Sequence, residues 1–305
     1  MTVNIRVPGS TSNLGPGFDS IGVALNLYLE LSLSPSDTWE FVALSSDLEG
    51  ELNSSDNLIL KTAKHVGQLY NQESNQAYRV EVKNDIPLAR GLGSSAAAIV
   101  AGIELANYAY DLKLPTEEKV NLATNFEGHP DNVVPSIIGG CVIAHYEEDG
   151  VVDWQKLSLD KPSFVALIPN QELKTSEARE VLPSELPYKQ AVEASSIANV
   201  LVVALAQENW QLAGKMMEKD LFHHQYRKQL IPQFDDIQSF MRNEGAYGTF
   251  LSGAGPTIMS LMDADLVKRI EFKWVKNYHD FEWRPLNVDT YGLDVNRRFE
   301  TNPTK

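Results

Sequence analysis

Residues 87–98 read Pro-Leu-Ala-Arg-Gly-Leu-Gly-Ser-Ser-Ala-Ala-Ala, and this run decides how the rest of the chain is read. Gly91 and Gly93 stand two apart, so the backbone can turn tightly with no Cβ to keep a ligand off its amides. Ser94 and Ser95 add hydroxyls, and Ala96 to Tyr110 is a run of helix formers. A small-residue loop feeding a helix N-terminus gathers free N–H groups and the positive end of the helix dipole at one point. Such a place binds anions, and a nucleotide phosphate suits it best.

Other phosphate loops fit less well. The P-loop ends in Gly-Lys-Ser/Thr, a tripeptide this chain lacks. Gly91, Gly93 and Ala96 formally satisfy the dinucleotide-binding spacing, with Asp111 about twenty residues on. Asp111, however, ends one helix and precedes another that opens near Pro115, so no strand would carry it under a ribose. The plain alternative is a glycine turn before a core helix; the Ser-Ser pair and the unbroken alanines favour phosphate.

The 305 residues suffice for two packed units, and 43% hydrophobic with 22% charged residues is ordinary for a globular chain. A net charge of −15 disfavours nucleic acid and acidic membrane faces as partners. It also means that an anionic substrate needs a local basic patch, which gives weight to arginines inside motifs. No apolar run reads as long enough to cross a bilayer, and Thr2–Arg6 lacks a signal-peptide core. Cys141, the single cysteine, reads as a buried residue, and a reducing cytoplasm is the expected location.

Strands are expected over residues 2–8, Gly22–Leu33, Phe41–Leu44, Tyr78–Val82, Ile137–Tyr146, Phe164–Pro169, Tyr247–Leu251, Thr257–Met262 and Leu286–Thr290. Helices are expected after an Asp56 cap, from Pro115, and over Asn209–Lys219, Pro232–Asn243 and Asp263–Tyr278. The very apolar Ala191–Ala206 helix is expected to be buried on most sides, and the tail from Asn296 to be frayed. Strands and helices mix without regular alternation, so the class is α+β, with units at 1–157 and 158–305.

Four further clusters carry chemistry. Pro8 to Asp19 is a dense loop of glycine, proline, hydroxyl and amide residues; beyond a tight turn, it can aim Asn13 and Asp19 into a shared cleft. Glu127-Gly128-His129-Pro130-Asp131-Asn132 sits between a helix and an expected strand. It lacks zinc-ligand spacing, but Glu127 with the Ser94–Ser95 hydroxyls suits a hard cation such as Mg²⁺. Lys174 to Arg179 reads as a helix start, and Arg179 and Arg227 read singly as ordinary helical arginines. His223 and His224, being adjacent, do not share a helix face and are not read as a metal pair. Ser252-Gly253-Ala254-Gly255-Pro256-Thr257 is a second glycine turn, able to close over a site.

Taken together, RVPGSTSNLGPGFDSIG, PLARGLGSSAAA, EGHPDNVVPSIIGG, KTSEAREVLP and LSGAGPT resemble, in order and spacing, the GHMP small-molecule kinase superfamily. These motifs span residues 6 to 257 and most closely resemble its members acting on L-homoserine in threonine biosynthesis. The resemblance implies a first domain like the second domain of ribosomal protein S5, a ferredoxin-like second domain, and a homodimer. It implies ATP-dependent phosphorylation of the L-homoserine hydroxyl. Pro87, Leu88, Ala89, Arg90, Gly91, Leu92, Gly93, Ser94, Ser95, Ala96 and Ala97 would wrap the ATP phosphates. Ser95 and Glu127 would hold Mg²⁺, and Asn13, Asp19, His129, Thr175, Arg179 and Arg227 would line the homoserine pocket. Asn132 would sit near the transferred phosphoryl group, Arg179 would also serve catalysis, and Asp131 is read as structural support. The alternatives are another kinase of this superfamily, or a ligand sensor that has kept the scaffold without turnover.

Overall fold

A computed structural model describes residues 2–52, 57–72, 76–159, 161 and 163–298. The first part of the chain forms β1 (Thr2–Ser12), β2 (Ile21–Ser36), β3 (Glu40–Ala43), α1 (Glu49–Leu52), α2 (Leu58–Leu69), β4 (Ala77–Asn84), α3 (Ser94–Ala109), α4 (Thr116–Glu127), α5 (Pro130–Ile138), β5 (Cys141–Tyr146) and β6 (Val152–Leu157). β1 does not stop at Pro8-Gly9: its ladder with β2 continues to Ser12 through a bulge between those two residues. The Asp56 cap lies outside the described residues; the Asn57 side chain accepts the Leu60 N–H and caps α2.

The second part forms β7 (Ser163–Pro169), α6 (Thr175–Glu180), α7 (Tyr188–Ala206), α8 (Trp210–Met217), α9 (His224–Arg227), α10 (Phe234–Asn243), β8 (Gly248–Leu251), β9 (Ile258–Met262), α11 (Ala264–Asn277), β10 (Phe281–Leu286) and β11 (Asp294–Arg298). The strands make two sheets. The larger runs β11-β1-β2-β4-β3, with β5 and β6 branching from β2; the smaller runs β10-β7-β9-β8. With helices after its first and third strands, the smaller sheet has the order fourth-first-third-second of a ferredoxin-like unit. The architecture is α+β, in two units. We propose 1–157 and 158–305 as those units; β11 is the segment of the second that returns to the first sheet, beside β1.

Burial explains the layering. β7 is apolar at successive positions because both faces are covered. Phe164, Ala166 and Ile168 join the main core, whereas Val165 and Leu167 join a second core with Ile237, Met241, Ile270 and Trp274 of α10 and α11. α3 is buried along most of its length between α2, α4, α5 and the first sheet.

Five expectations change. Residues 130–138, read as a loop entering a strand, form α5, with Pro130 in its first turn and Pro135 inside it. Pro135 lacks the N–H that would bond the Asp131 carbonyl, and Gly22 packs there instead: a Cβ at Gly22 would lie 1.7 Å from that oxygen. Leu286 ends β10, residues 287–290 are a connection with one isolated bridge, Leu25 to Val288, and the last strand is β11. Asn296, expected to fray, pairs with Asn4. α7 buries only one stripe, through Ala194, Ile197, Leu201, Ala204 and Leu205, while Val192, Val200 and Val203 face outward and Tyr188 is 87% exposed. Among the described residues, α7 is the helix long and apolar enough to cross a membrane, against the reading that no such run exists.

Candidate active site

The separate motifs converge on one open cleft. Its phosphate side is the turn before α3. Gly91 and Gly93 both take positive φ, and Gly93 occupies the N-cap position of α3 with no side chain bonded to the helix amides. A Cβ on Gly93 would lie 2.4 Å from the Ser10 hydroxyl, so the turn is pressed against β1 as well as wound left-handed. The uncapped amides and the dipole of a 16-residue helix therefore face the cleft together.

Not every residue of the 87–97 run contributes its side chain. Ala89, Arg90, Gly91, Gly93, Ser94, Ser95 and Ala96 line the cleft. Leu92 and Ala97 are buried in the core, and Leu88 faces a neighbouring apolar pocket. Arg90 spends its guanidinium on the carbonyls of Leu88, Pro169 and Asn170, tying the turn to the end of β7. Pro87, partly buried, lines neither cavity. The second glycine turn closes over the first: the Ser252 hydroxyl donates to the Gly91 carbonyl at 2.5 Å, and Gly253 and Ala254 line the cleft.

Ser95 and Glu127 meet across the mouth of α3, the hydroxyl 3.4 Å from the carboxylate. Burial pushes the Glu127 carboxyl above its ordinary range; His129 opposes this and Asp131 adds to it. A partly buried carboxylate beside a hydroxyl and the uncapped helix amides is an oxygen donor set that fits a hard divalent cation.

Asn13, Asp19, His129, Thr175, Arg179 and Arg227 line the same cleft. Asn13 and Asp19 lie in the β1–β2 loop with positive φ, and Asn13 Oδ1 accepts the Asp19 N–H at 3.0 Å. Arg179, one turn into α6, makes a bidentate pair with Asp19 at 2.9 and 3.1 Å. Arg227 is 1% exposed; burial and then the neighbouring Arg179 push its guanidinium down to about 10. His129 precedes α5, and its Nδ1 meets Asp131 Oδ1 at 2.7 Å. Burial works against the His129 charge, but Asp131, with Asp19 and Glu127 nearby, raises its pKa overall.

Asn132 lies in the cleft but is committed elsewhere. Its oxygen accepts from the Ser12 hydroxyl at 3.1 Å, and its nitrogen donates to Ser10. Sequence reasoning gave Asp131 a supporting place and left out Ser12 and Phe18. Phe18 lies under both guanidiniums, with ring-to-carbon distances of 5.8 Å for Arg179 and 5.2 Å for Arg227. It also missed the apolar pocket that shares Ser94 with the cleft and is walled by Leu29, Leu48, Leu52, Ile59 and Leu88. Those leucines come from separate segments with no local pattern, so only the folded chain brings them together.

The buried group Asp220, His223 and His224 resembles a metal site in composition, yet its atoms are engaged. Asp220 accepts the N–H groups of Phe222, His223 and His224, His223 Nε2 faces the Gly15 carbonyl, and His224 Nε2 accepts the Leu251 N–H. Burial pushes His223 down to about 3 and lowers His224 as well. Both rings therefore stay neutral in the fold while the unfolded chain takes up protons below about 6.5. Stability attributable to them is present above that value and is lost as pH falls toward 3. Urea unfolding should give a lower free energy at pH ~5 than at pH ~7.5, with a smaller drop in His223→Phe; an equal drop would contradict this assignment.

An uncapped helix mouth, the Ser95–Glu127 pair and two arginines share one cleft, an arrangement suited to a small-molecule kinase. Family models place it more closely: residues 57–140 match the GHMP kinases N terminal domain and 201–280 the GHMP kinases C terminal model. Homoserine kinases of Bacillus velezensis and Bacillus pumilus are 45% and 46% identical over 97% of this chain, and the matches cover 96% and 94% of those proteins. The homoserine kinase structure from Cytophaga hutchinsonii aligns with a TM-score of 0.84 at 27% identity, covering 97% of each chain. A mevalonate kinase at 19% identity shares the fold, with a TM-score of 0.71. The chain belongs to the homoserine kinase family of the GHMP kinases.

Proposed function

We propose that this protein transfers the γ-phosphoryl group of ATP to the side-chain hydroxyl of L-homoserine, giving O-phospho-L-homoserine and ADP. The observation that carries this reading is the meeting of Arg179, its partner Asp19 and buried Arg227 in one pocket, set against the uncapped mouth of α3. In this reading the amides of residues 91–96 take the triphosphate, and the apolar pocket beside Ser94 takes the base. Ser95 and Glu127 would hold Mg²⁺. Such an ion, when bound, neutralises charge on the phosphate oxygens.

The chain's own residues account for the acceptor. Homoserine is a zwitterion with a primary hydroxyl. Asp19 and Arg179 now satisfy each other. A zwitterion entering beside them gives Asp19 an ammonium and gives Arg179 and Arg227 a carboxylate, so one ion pair becomes two and no charge is stranded. A ligand with one charge would leave the other partner unpaired. The hydroxyl oxygen then forms its bond to the γ-phosphorus as the bond to ADP breaks, and its proton passes to the transferred group. Phosphoryl transfer is loose and asks mainly for alignment and charge neutralisation, so no strong base need act first. Asp131 and Asn132 serve as supports: the former orients His129, the latter fixes the β1 hydroxyls under the phosphate turn.

A coupled ADP-release assay over L-homoserine, mevalonate, galactose and shikimate tests the reading. Turnover is expected with L-homoserine alone. Turnover with a sugar or mevalonate instead would assign another branch of the family, and ligand binding without any turnover would assign a sensor.

A further inference from the structure

Arg227 does not hold its place by burial alone. Its Nε donates to the Ala178 carbonyl at 3.0 Å, and Nη1 donates to the Gly253 carbonyl at 3.0 Å and to His223 Nδ1 at 3.4 Å. Among the described residues Nη2 has no partner, and Arg227 lines the cleft, so Nη2 is the nitrogen left for a ligand. Three of the anchors are backbone or ring atoms from separate places: α6 beside Arg179, the second glycine turn, and the residue before α9.

His223 is itself fixed on every side. A carbonyl can only accept, so the 3.1 Å contact with Gly15 places the imidazole proton on Nε2. Nδ1 is then a lone pair, the correct partner for a guanidinium N–H. Asp220 grips the His223 backbone N–H at 2.9 Å, and the ring stacks on Phe18 with centroids 5.4 Å apart. Gly15 stands in the same loop as Asn13 and Asp19, with positive φ and a closely packed neighbour in Met217.

We propose that His223 is a positioning residue: it bridges the Gly15 carbonyl to Arg227 Nη1, so that Nη2 is presented to the acceptor's carboxylate, and it thereby sets the preference for acceptors that carry one. The proposal rests on the reading of the cleft as an amino-acid site. His223 does not touch the substrate. It joins the loop that holds the ammonium partner Asp19 to the arginine that holds the carboxylate, and so fixes the spacing between the two charges that a bound amino acid must match.

The test compares L-homoserine with 3-aminopropan-1-ol, which keeps the ammonium and hydroxyl and lacks the carboxylate. The readouts are the KM for L-homoserine, the inhibition constant of 3-aminopropan-1-ol, and the melting temperature. His223→Leu removes the ring and both contacts; His223→Phe keeps the stacked ring and loses both contacts. Each is expected to raise the homoserine KM about tenfold or more while leaving the inhibition constant of the amino alcohol within about twofold. His223→Asn, whose amide oxygen can accept from Arg227, is expected to recover most of the discrimination. Equal weakening of both ligands would assign His223 a merely structural part and overturn the proposal. Unchanged discrimination in the His223 variants would overturn it too, provided Arg227→Met abolishes that discrimination. If Arg227→Met also leaves it unchanged, the amino-acid reading of the cleft fails first, and the two failures are thus told apart.

Discussion

Replacing Arg227 by methionine is expected to raise the KM for L-homoserine by about 30-fold to several thousand-fold, with the KM for ATP changed far less. The range follows from the cost of removing one member of a desolvated charge pair, about 2–5 kcal/mol. Methionine fills much of the volume and supplies no donor. The loss then has two parts. The bound carboxylate keeps Arg179 alone, and the carbonyls of Ala178 and Gly253 lose a buried donor. Because Asn13 Nδ2 also donates to Gly253, that turn keeps one tie to the β1–β2 loop, so the fold should survive the exchange. Steady-state kinetics with a melting curve decide the matter. A homoserine KM within threefold of the parent, in a protein melting at the same temperature, would remove Arg227 from the substrate site.

Gly93→Ala should act on the other substrate. The residue has φ +74, where a Cβ is strained, and the added methyl would lie 2.4 Å from the Ser10 hydroxyl and 2.9 Å from the Ser10 backbone nitrogen. The left-handed conformation alone costs about 1–2 kcal/mol for an alanine. The contact with β1 cannot be relieved by a side-chain rotation, since one of the atoms met is backbone. The turn must lift, and the amides at the mouth of α3 move with it. Loss of one well-aimed donor to a developing anion costs about 10²–10³ in rate. We therefore expect kcat/KM for ATP to fall at least about 100-fold. Nucleotide titration by calorimetry checks the binding part. An unaltered nucleotide affinity would mean that the triphosphate does not sit on this turn.

Much of the site was legible because its motifs are local. The glycine turn, the Glu127–Asn132 cluster and the two arginine segments each carry their own spacing, and the fold only brings them together. What stayed hidden depends on partners far away in the chain. α5 is hidden because two prolines in nine residues argue against a helix; its first-turn proline needs no N–H, and the second is accommodated where Gly22 packs on the freed carbonyl. β11 is a short polar strand whose pairing comes entirely from β1, nearly three hundred residues away in sequence. The exposed apolar side of α7 could not be told from a buried one, since Val192, Val200 and Val203 look the same in sequence whichever way they face. Arg90 had the opposite fate: a motif arginine that suggested anion binding is bonded to three carbonyls.

Asp19 and Arg179 state the same lesson chemically. Sequence separates them by 160 positions and suggests roles at opposite ends of the substrate, yet they hold each other in the unliganded cleft. The pair keeps both charges solvated by one another until an amino acid, with both signs of its own, can replace it.

The most direct measurement is a crystal structure of the protein with a non-hydrolysable ATP analogue and L-homoserine. The account predicts the β- and γ-phosphates within hydrogen-bonding distance of the amides of residues 91–96, and the homoserine carboxylate within the same distance of Arg227 Nη2, its hydroxyl turned to the γ-phosphate. A nucleotide seated away from the mouth of α3, or a homoserine carboxylate remote from both Arg179 and Arg227, would contradict it.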